Sequence, residues 1–264
     1  MIAKRILPWI LLVLLLAGCE ETPSGRSQLA LVPDTLMAQL GEQSFAQLRE
    51  RRPAAQDPAL DRRVQCVADA VVEAARRHYP EVEMPKAWEV VVFDDASPNA
   101  FALPGGRIGV HSGLLRVAES PDQLAAVIGH EVAHVLADHG NERLTQQLGI
   151  KAALLVVGLV SEGELAGEPL MRALGIGAQL GISLPFSRTH EEEADLMGLE
   201  IMAAAGFEPG ESVALWRNMA AAGGGQPPEF LSTHPAHASR IALLEEHLDA
   251  ARALQRQSPS PSCG

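Results

Sequence analysis

Two histidines and a glutamate stand at the spacing that a catalytic metal site uses. His130 and His134 are four residues apart in the segment HEVAH, and Glu131 lies between them. On a helix, residues four apart share a face, with Cβ atoms about 6 Å apart, so the two imidazoles can share one tetrahedral Zn²⁺. The metal lowers the pKa of a bound water towards about 7, and a neighbouring carboxylate can take its proton. The spacing therefore predicts that His130 and His134 bind zinc and that Glu131 is the general base.

The residues around this motif favour a buried metal site over a pair of surface histidines. The neighbouring positions are apolar, namely Leu124, Val127, Ile128, Val132, Val135 and Leu136. A helix of this kind is buried on most sides. Burying two neutral imidazoles and a carboxylate without partners costs several kcal/mol, whereas a bound metal ion satisfies them.

The third protein ligand of a catalytic zinc site is expected downstream, in the segment HEEEAD at 190–195. Glu191 and Asp195 share one helix face, where two like charges repel each other. A cation bound to Glu191 removes this repulsion if Asp195 accepts a hydrogen bond from a ligand histidine. On these residues alone, His190 competes with Glu191 as the third ligand.

Three nearby residues are expected to lie away from the metal. His139 is nine residues after His130, so in a continuous helix it lies on the opposite side and is a poor candidate ligand. Glu192 and Glu193 are expected at a solvated, acidic helix start, which the helix dipole favours.

The elements that must position these residues are mostly helices. The helix that carries HEVAH has an N-cap in Ser120, Pro121 in its first turn, a capping box completed by Gln123 and an expected end at Gly140. A β-branched run at 88–93 predicts a strand, and residues 99–110 predict a hairpin with a Pro-Gly-Gly turn. Further helices are predicted at 34–50, 58–78, about 189–206, from 209 and at 235–254, with a buried helical excursion over 149–186.

The composition fits one globular, helix-rich domain. The 264 residues are 47% hydrophobic, 20% charged and 4% aromatic, with a formal net charge of −12, which is unlike a disordered or fibrous chain. No Lys/Arg cluster stands on a predicted face, so nucleic acid is not expected as a partner. The domain is expected to cover residues 31–255, with a Ser/Pro tail at 256–264.

The first 18 residues are typical of a lipoprotein signal peptide. Lys4 and Arg5 precede an apolar run that ends in Leu-Ala-Gly before Cys19, which resembles a bacterial lipobox with Cys19 as the lipidated residue. An uncleaved N-terminal anchor is the alternative. Glu20, where an Asp would indicate inner-membrane retention, favours the outer membrane, facing the periplasm. Residues 19–30 are expected to form a polar tether.

Cys66 and Cys263 are the two thiols that remain once Cys19 is lipidated. In an oxidising periplasm they can form a bridge that pins the tail to the second helix. A buried Cys66 with a free thiol in the tail is the alternative, and the sequence leaves this open.

Several motifs in order carry a resemblance to a known family. HEVAH, the segment SRTHEEEAD about 55 residues later, the triplet Thr-His-Pro at 233–235, Arg240 and the segment NAFALPGG at 99–106 resemble the HtpX/Oma-type zinc metallopeptidases, metallopeptidase family forty-eight. The lipobox and the compact length look most like its LoiP-like branch of periplasmic lipoproteins. The resemblance implies an α+β, predominantly α-helical fold: a zincin-type metallopeptidase domain with a small β-sheet or hairpin beside the HExxH helix.

The resemblance also implies roles for individual residues. His130, His134 and Glu191 would bind one Zn²⁺ per chain, Glu131 would act as base and then proton shuttle, and Asp195 would orient a ligand histidine. His234 would either stabilise the oxyanion or block the open metal position at rest, and Arg240 would assist the oxyanion. A Pro-linked turn and a surface charge are the alternatives for those two residues. An edge strand would pair with the peptide substrate through Asn99, Ala100, Phe101 and Ala102.

The implied function is that of a zinc-dependent metalloendopeptidase that hydrolyses misfolded or stalled envelope proteins in protein quality control. The implied partners are unfolded or misassembled polypeptides, the membrane through the N-terminal lipid, and envelope assembly machinery. The alternative is a zinc-containing periplasmic chaperone or assembly factor with a normally closed protease site.

Overall fold

The computed structural model describes residues 19–147, 149, 186–222, 229–235 and 238–263. The predicted α+β, mostly helical class is confirmed. Residues 139–147 are also helical. The helices are α1 (Asp34–Arg51), α2 (Pro58–His78), α3 (Pro121–Leu136), α4 (Arg188–Ala204), α5 (Gly210–Ala222), α6 (Glu229–Thr233) and α7 (Ala238–Gln255). The strands are β1 (Cys19–Glu21), β2 (Ser27–Leu29), β3 (Glu89–Phe93), β4 (Ala100–Leu103) and β5 (Arg107–His111).

The centre of the fold is the contact between α3, which carries HEVAH, and α4, which carries HEEEAD. Gly129 on α3 and Gly198 on α4 face each other at this crossing. A Cβ atom added at Gly198 would lie 2.8 Å from the backbone nitrogen of His130, and one added at Gly129 would lie 2.9 Å from the carbonyl oxygen of Gly198. Only glycine permits this separation, so the two glycines set how closely the two motifs approach. Helices α2 and α5 pack against α3, and α7 packs against α4.

Helix α3 begins as predicted but ends earlier. Ser120 caps it by accepting a hydrogen bond from the backbone N–H of Gln123 at 3.1 Å. The helix ends at Leu136 rather than at Gly140, because Asp138 adopts a left-handed conformation with φ of 51°. Aspartate tolerates this region better than most residues. The chain therefore turns before residue 139, and a separate helical segment follows.

A three-stranded sheet lies beside α3. Its order is β3-β5-β4, with β3 parallel to β5 and β4 antiparallel to β5. Gly105 and Gly106 form the turn between β4 and β5 with positive φ angles of 83° and 78°, as a Pro-Gly-Gly turn predicts. In the described part of the chain, β4 is an edge strand of this sheet, and it packs against α3.

Residues 19–30 were expected to form a polar tether, but residues 19–29 form a docked hairpin. β1 and β2 pair antiparallel, with Cys19 opposite Leu29. The turn carries Arg26, whose guanidinium contacts Glu193 at 2.5 Å and Glu142 at 2.7 Å. Two buried carboxylates on the domain therefore hold a segment whose polar composition alone predicts solvation.

The Ser/Pro tail also packs against the domain. Cys263 is buried and forms a disulfide with Cys66 on α2, with the Cα atoms 5.6 Å apart. Gly206, which follows α4, has a φ of +88°, and an added Cβ there would lie 2.2 Å from the carbonyl oxygen of Pro259. The bridge resolves the alternative that the sequence left open for these two cysteines.

Two predicted segments lie outside the described residues: the signal peptide at 1–18, and the apolar excursion at 149–186 except for residues 149 and 186. Within the described ranges, none of the helices combines the length and the apolar character needed to cross a bilayer.

The disulfide yields a prediction on stability. The bond closes a loop with a sequence separation of 197 residues. In the chain-entropy model such a closure stabilises the folded protein by about 5 kcal/mol, and measured effects are often smaller. We expect Cys66→Ala to lower the free energy of unfolding, measured in urea under oxidising conditions, and reductant to have the same effect on the wild-type protein. Two free thiols per chain, counted on unfolded and unreduced mature protein, would contradict the bridge.

Candidate metal centre

Four side chains bring metal-binding atoms together in the interior. His130 and His134 come from α3, Glu191 from the first turn of α4, and His234 from the turn after α6. One ligand atom from each lies within 4.8 Å of the others, and all four residues are buried. The structure thus brings together the three expected ligands and His234, which the resemblance implies either as an oxyanion donor or as a block of the open metal position.

The distances show that these atoms point at one common position. Nε2 of His130 lies 3.1 Å from Nε2 of His134 and 3.2 Å from Nδ1 of His234. Oε1 of Glu191 lies 3.0 Å from Nδ1 of His234 and 3.5 Å from Nε2 of His134. Two facing ring nitrogens can share only one proton. The lone pairs of these nitrogens and the carboxylate of Glu191 therefore converge on one position with too few protons to form a hydrogen bond between every pair. Three imidazoles and a carboxylate are ligands that Zn²⁺ prefers, and the donor set fits this ion.

The electrostatics of the ligands keep Glu191 anionic. Burial raises the pKa of this carboxyl, but the charge of His234 and the hydrogen bonds from the ligand histidines outweigh it and hold the pKa far below its ordinary range. Burial lowers the pKa of His134 well below its ordinary value. The pKa of His130 is raised to about 9, because Asp195 and Glu191 outweigh the effect of burial. Metal binding must displace the proton of His130, so it is favoured as the pH rises.

Glu131 lies between the donor cluster and strand β4. Its Oε2 accepts a hydrogen bond from the backbone N–H of Ala102 at 3.1 Å, and its Oε1 lies 3.3 Å from Nε2 of His234. Burial raises the pKa of this carboxyl, although the charges of His234 and His130 oppose the effect. A raised pKa suits a carboxylate that must take up a proton and release it near neutral pH.

Arg240 and Asp195 form a charged pair behind the ligands. Arg240 Nε and Nη2 donate to the two oxygens of Asp195 at 2.5 and 2.6 Å, and Nη1 lies 2.6 Å from Oε2 of Glu191. Oδ1 of Asp195 lies 3.1 Å from Nδ1 of His130, as expected of a residue that orients a ligand. The guanidinium stacks 4.0 Å from the ring of Trp216.

This placement corrects the expectation for Arg240. It is 1% exposed, which excludes a surface charge, and two carboxylates occupy its guanidinium, which leaves it unsuited to an oxyanion. Its geometry is that of a positioning residue for Glu191 and Asp195.

The strand that is predicted to bind substrate lies beside Glu131. Asn99, whose carbonyl oxygen accepts a hydrogen bond from His111 at 2.9 Å, leads into β4. Phe101 pairs with Gly109 of β5, whereas Ala102 donates its N–H away from β5, to Glu131. The outer edge of β4 carries the backbone groups of Ala100 and Ala102, since strand groups point alternately to the two sides.

The structure assigns neighbouring acidic and histidine residues differently from the sequence. His190 does not reach the donor cluster, because its Nε2 contacts Glu142 at 3.0 Å, so Glu191 is the residue of HEEEAD in the cluster. Glu193, expected in solvent, is 7% exposed and contacts Nε2 of His139 at 3.1 Å. Glu192 is half-buried.

His139 is a residue near the metal centre that sequence reasoning placed wrongly. Its Nδ1 lies 2.8 Å from Nδ1 of His134. The argument for the far side of the helix assumed that α3 continues past Leu136, whereas the left-handed Asp138 turns the chain back. The sequence Asp-His-Gly at 138–140, rich in turn-forming residues, is the signal that indicates this break.

Two phenylalanines pack against the ligands, and the sequence did not single them out. Phe186 stacks on His134 with ring centroids 4.0 Å apart, and Phe230 stacks on His234 at 4.5 Å. Arg143 lies 3.9 Å from the Phe186 ring. Such packing restricts the rotation of the imidazoles, which keeps their nitrogens directed at the metal position.

Comparison with known proteins assigns the chain to a family of peptidases. The sequence model of that family, peptidase family M48, matches residues 58–248. Mitochondrial metalloendopeptidase OMA1 of Saccharomyces cerevisiae is 32% identical over 96% of this chain, and the protein of that name from Schizosaccharomyces pombe is 39% identical over 65%. The β-barrel assembly-enhancing protease of Escherichia coli is 29% identical over 83% of this chain.

The chain spans only part of these relatives. It covers half of the S. pombe protein, 78% of the S. cerevisiae protein and 45% of the E. coli protein. The family match at residues 58–248 contains all four residues of the donor cluster.

The assignment of Glu191 is tested by metal content. Glu191→Ala removes the one carboxylate of the donor cluster, so we expect a sharp loss of zinc after dialysis, measured by atomic absorption. Glu192→Ala is the matched control, since it is adjacent but outside the cluster, and should keep the wild-type zinc content. Full zinc in Glu191→Ala together with its loss in His190→Ala would reverse the assignment.

Proposed function

The chain belongs to peptidase family M48, and we propose that it is a zinc-dependent metalloendopeptidase. The observation that carries this proposal is the position of Glu131. A buried carboxylate with a raised pKa stands between three convergent zinc ligands and an edge strand. A general base, a metal and a peptide-holding strand are the parts that peptide-bond hydrolysis requires.

Each part has a defined task in the reaction. His130, His134 and Glu191 would hold Zn²⁺, which when bound would lower the pKa of water and polarise a carbonyl. Glu131 takes the proton of the attacking water and passes it to the leaving nitrogen, as a general base and then a general acid. Asp195 and Arg240 keep the ligands in place from behind.

We propose unfolded or misassembled polypeptides as the substrates. Apart from the N–H of Ala102, which donates to Glu131, the outer edge of β4 can bind an extended peptide through backbone hydrogen bonds. This mode of binding is tolerant of sequence and requires an unfolded segment. The name of the E. coli relative, a β-barrel assembly-enhancing protease, supports a role in quality control or assembly of envelope proteins. Membership of the LoiP-like branch belongs to the same proposal and is supported by the lipobox.

We also propose that the protein is lipidated at Cys19 and faces the periplasm from the outer membrane. The support is the segment LLLAGC at 14–19, followed by Glu20. The OMA1 relatives are mitochondrial by name, so the location needs its own test. Labelled palmitate should be incorporated by the wild-type protein expressed in bacteria but not by Cys19→Ala, and equal labelling of both would refute the lipid anchor.

The role of Glu131 is tested by an isosteric change. Glu131→Gln keeps the shape and removes the proton acceptor, so hydrolysis should fall by about 10²–10⁴-fold while zinc stays bound. The measurement is cleavage of an unfolded protein such as casein, with zinc content determined on the same sample. Near-wild-type cleavage would rule out this mechanism.

The second candidate function is that of a zinc-containing chaperone or assembly factor whose protease site is closed, and the position of His234 favours it. Its Nδ1 lies with the zinc ligands and its Nε2 lies beside Glu131, where a water and a scissile carbonyl would have to enter. A protein that stays in this state would act as a zinc-containing chaperone or assembly factor. Release of His234 would open the protease and free its ring to donate to the oxyanion.

The substitution His234→Ala separates these roles. We expect a resting contact combined with a catalytic role, so kcat should fall by about 10²-fold with zinc retained. A rise in basal cleavage would instead identify His234 as a blocking residue alone. Unchanged kcat and unchanged zinc affinity would exclude it from the site.

A further inference from the structure

The zinc ligand His134 contacts a second histidine through the ring nitrogen that faces away from the metal. Its Nε2 points into the donor cluster, 3.1 Å from Nε2 of His130, and its Nδ1 lies 2.8 Å from Nδ1 of His139. A neutral imidazole that binds a metal through Nε2 carries its proton on Nδ1. His134 is therefore the donor of this hydrogen bond, and His139 accepts it on an unprotonated Nδ1.

The proton of His139 is placed by a second contact. Because its Nδ1 accepts, a neutral His139 carries its proton on Nε2, which lies 3.1 Å from Oε2 of Glu193. His139 is completely buried, and Glu193 nearly so. A directed chain of hydrogen bonds thus runs from the metal ligand through His139 to a carboxylate.

The N-terminal hairpin completes this chain. The side-chain hydroxyls of Thr22 and Ser24 both donate to Oε1 of Glu193, and Nε of Arg26 donates to its Oε2 at 2.5 Å. Arg26 also contacts Glu142 at 2.7 Å. These groups compensate the buried negative charge of Glu193 and fix its orientation.

We propose that His139 is a positioning residue that fixes the tautomer and orientation of the zinc ligand His134, and that the N-terminal hairpin holds it in place through Arg26 and Glu193. Outer hydrogen bonds of this kind contribute about 10–100-fold to metal affinity. The segment directly after Cys19 is then part of the metal centre. This inference rests on the zinc site of the proposed function.

The test compares two substitutions that keep different halves of the imidazole. In His139→Asn the amide oxygen can stand where Nδ1 stands and accept from His134. In His139→Gln the amide reaches the position of Nε2 and leaves a methylene group opposite His134. Both are polar and of similar size, so the comparison separates the hydrogen bond from general packing.

The readouts are zinc affinity by chelator competition and the electronic spectrum of the cobalt-substituted protein. We expect His139→Gln to bind zinc about 10–100-fold more weakly with an altered cobalt spectrum, and His139→Asn to stay closer to wild type in both. His190→Leu is the control: His190 is also buried and stacks on His139 at 4.6 Å, but its ring contacts Glu142, so zinc affinity should hold.

The results separate this inference from the proposed function. Equal zinc affinity in His139→Asn and His139→Gln, at any level, would overturn the role of His139, as would an equal loss in His190→Leu. A wild-type protein that binds no zinc would overturn the proposed function itself.

The role of the hairpin is tested with substitutions of two arginines. Arg26→Met should weaken zinc binding, though less than His139→Gln does, because Glu193 keeps its two hydroxyl donors. Arg49→Met is the control, since the exposed pair of Arg49 with Glu89 lies on α1 and β3, and it should leave zinc affinity unchanged. Wild-type affinity in Arg26→Met would overturn the role of Arg26 in holding Glu193.

Discussion

The close crossing of α3 and α4 is the constraint on which the metal centre depends. Gly129 and Gly198 let the two backbones approach until an added Cβ at Gly198 would meet the backbone nitrogen of His130. The ligands from HEVAH and the ligand from HEEEAD are separated by about 55 residues of sequence, and this crossing alone brings them together. A side chain at either glycine would push the helices apart, and a zinc site tolerates only a few tenths of an ångström in its ligand distances.

The crossing buries more negative charge than a protein interior accepts without compensation. Arg240 contacts both Glu191 and Asp195, while Arg26 contacts both Glu193 and Glu142. Arg240 thus compensates the charge of the carboxylates next to the metal position. Arg26 compensates the charge of two carboxylates that lie further from it. The two arginines come from α7 and from the N-terminal hairpin, so elements far apart in the chain close around α4.

Hydrogen bonds and close contacts of Glu131 also connect the donor cluster to strand β4. Oε2 of Glu131 accepts a hydrogen bond from the backbone N–H of Ala102, so this carboxylate and the edge strand β4 are fixed relative to each other. His234 reaches the ligands and Glu131 from the opposite side. The carboxylate of Glu131 therefore lies between the edge strand β4 and the imidazole of His234.

Local sequence patterns determined the parts of this site whose geometry is set within one element. The i, i+4 spacing places His130 and His134 on one face, Ser120 caps their helix, and the Pro-Gly-Gly turn closes the β4–β5 hairpin, because each depends on the periodicity or turn chemistry of neighbouring residues. Only the tertiary structure decided which HEEEAD residues face inward, that Arg240 lies behind the ligands, and that His139 turns towards His134. A single left-handed residue redirects His139, and the burial of Glu193 depends on an arginine 167 residues earlier in the chain. Helix periodicity does not encode such long-range pairings, since they follow from which surfaces pack against each other.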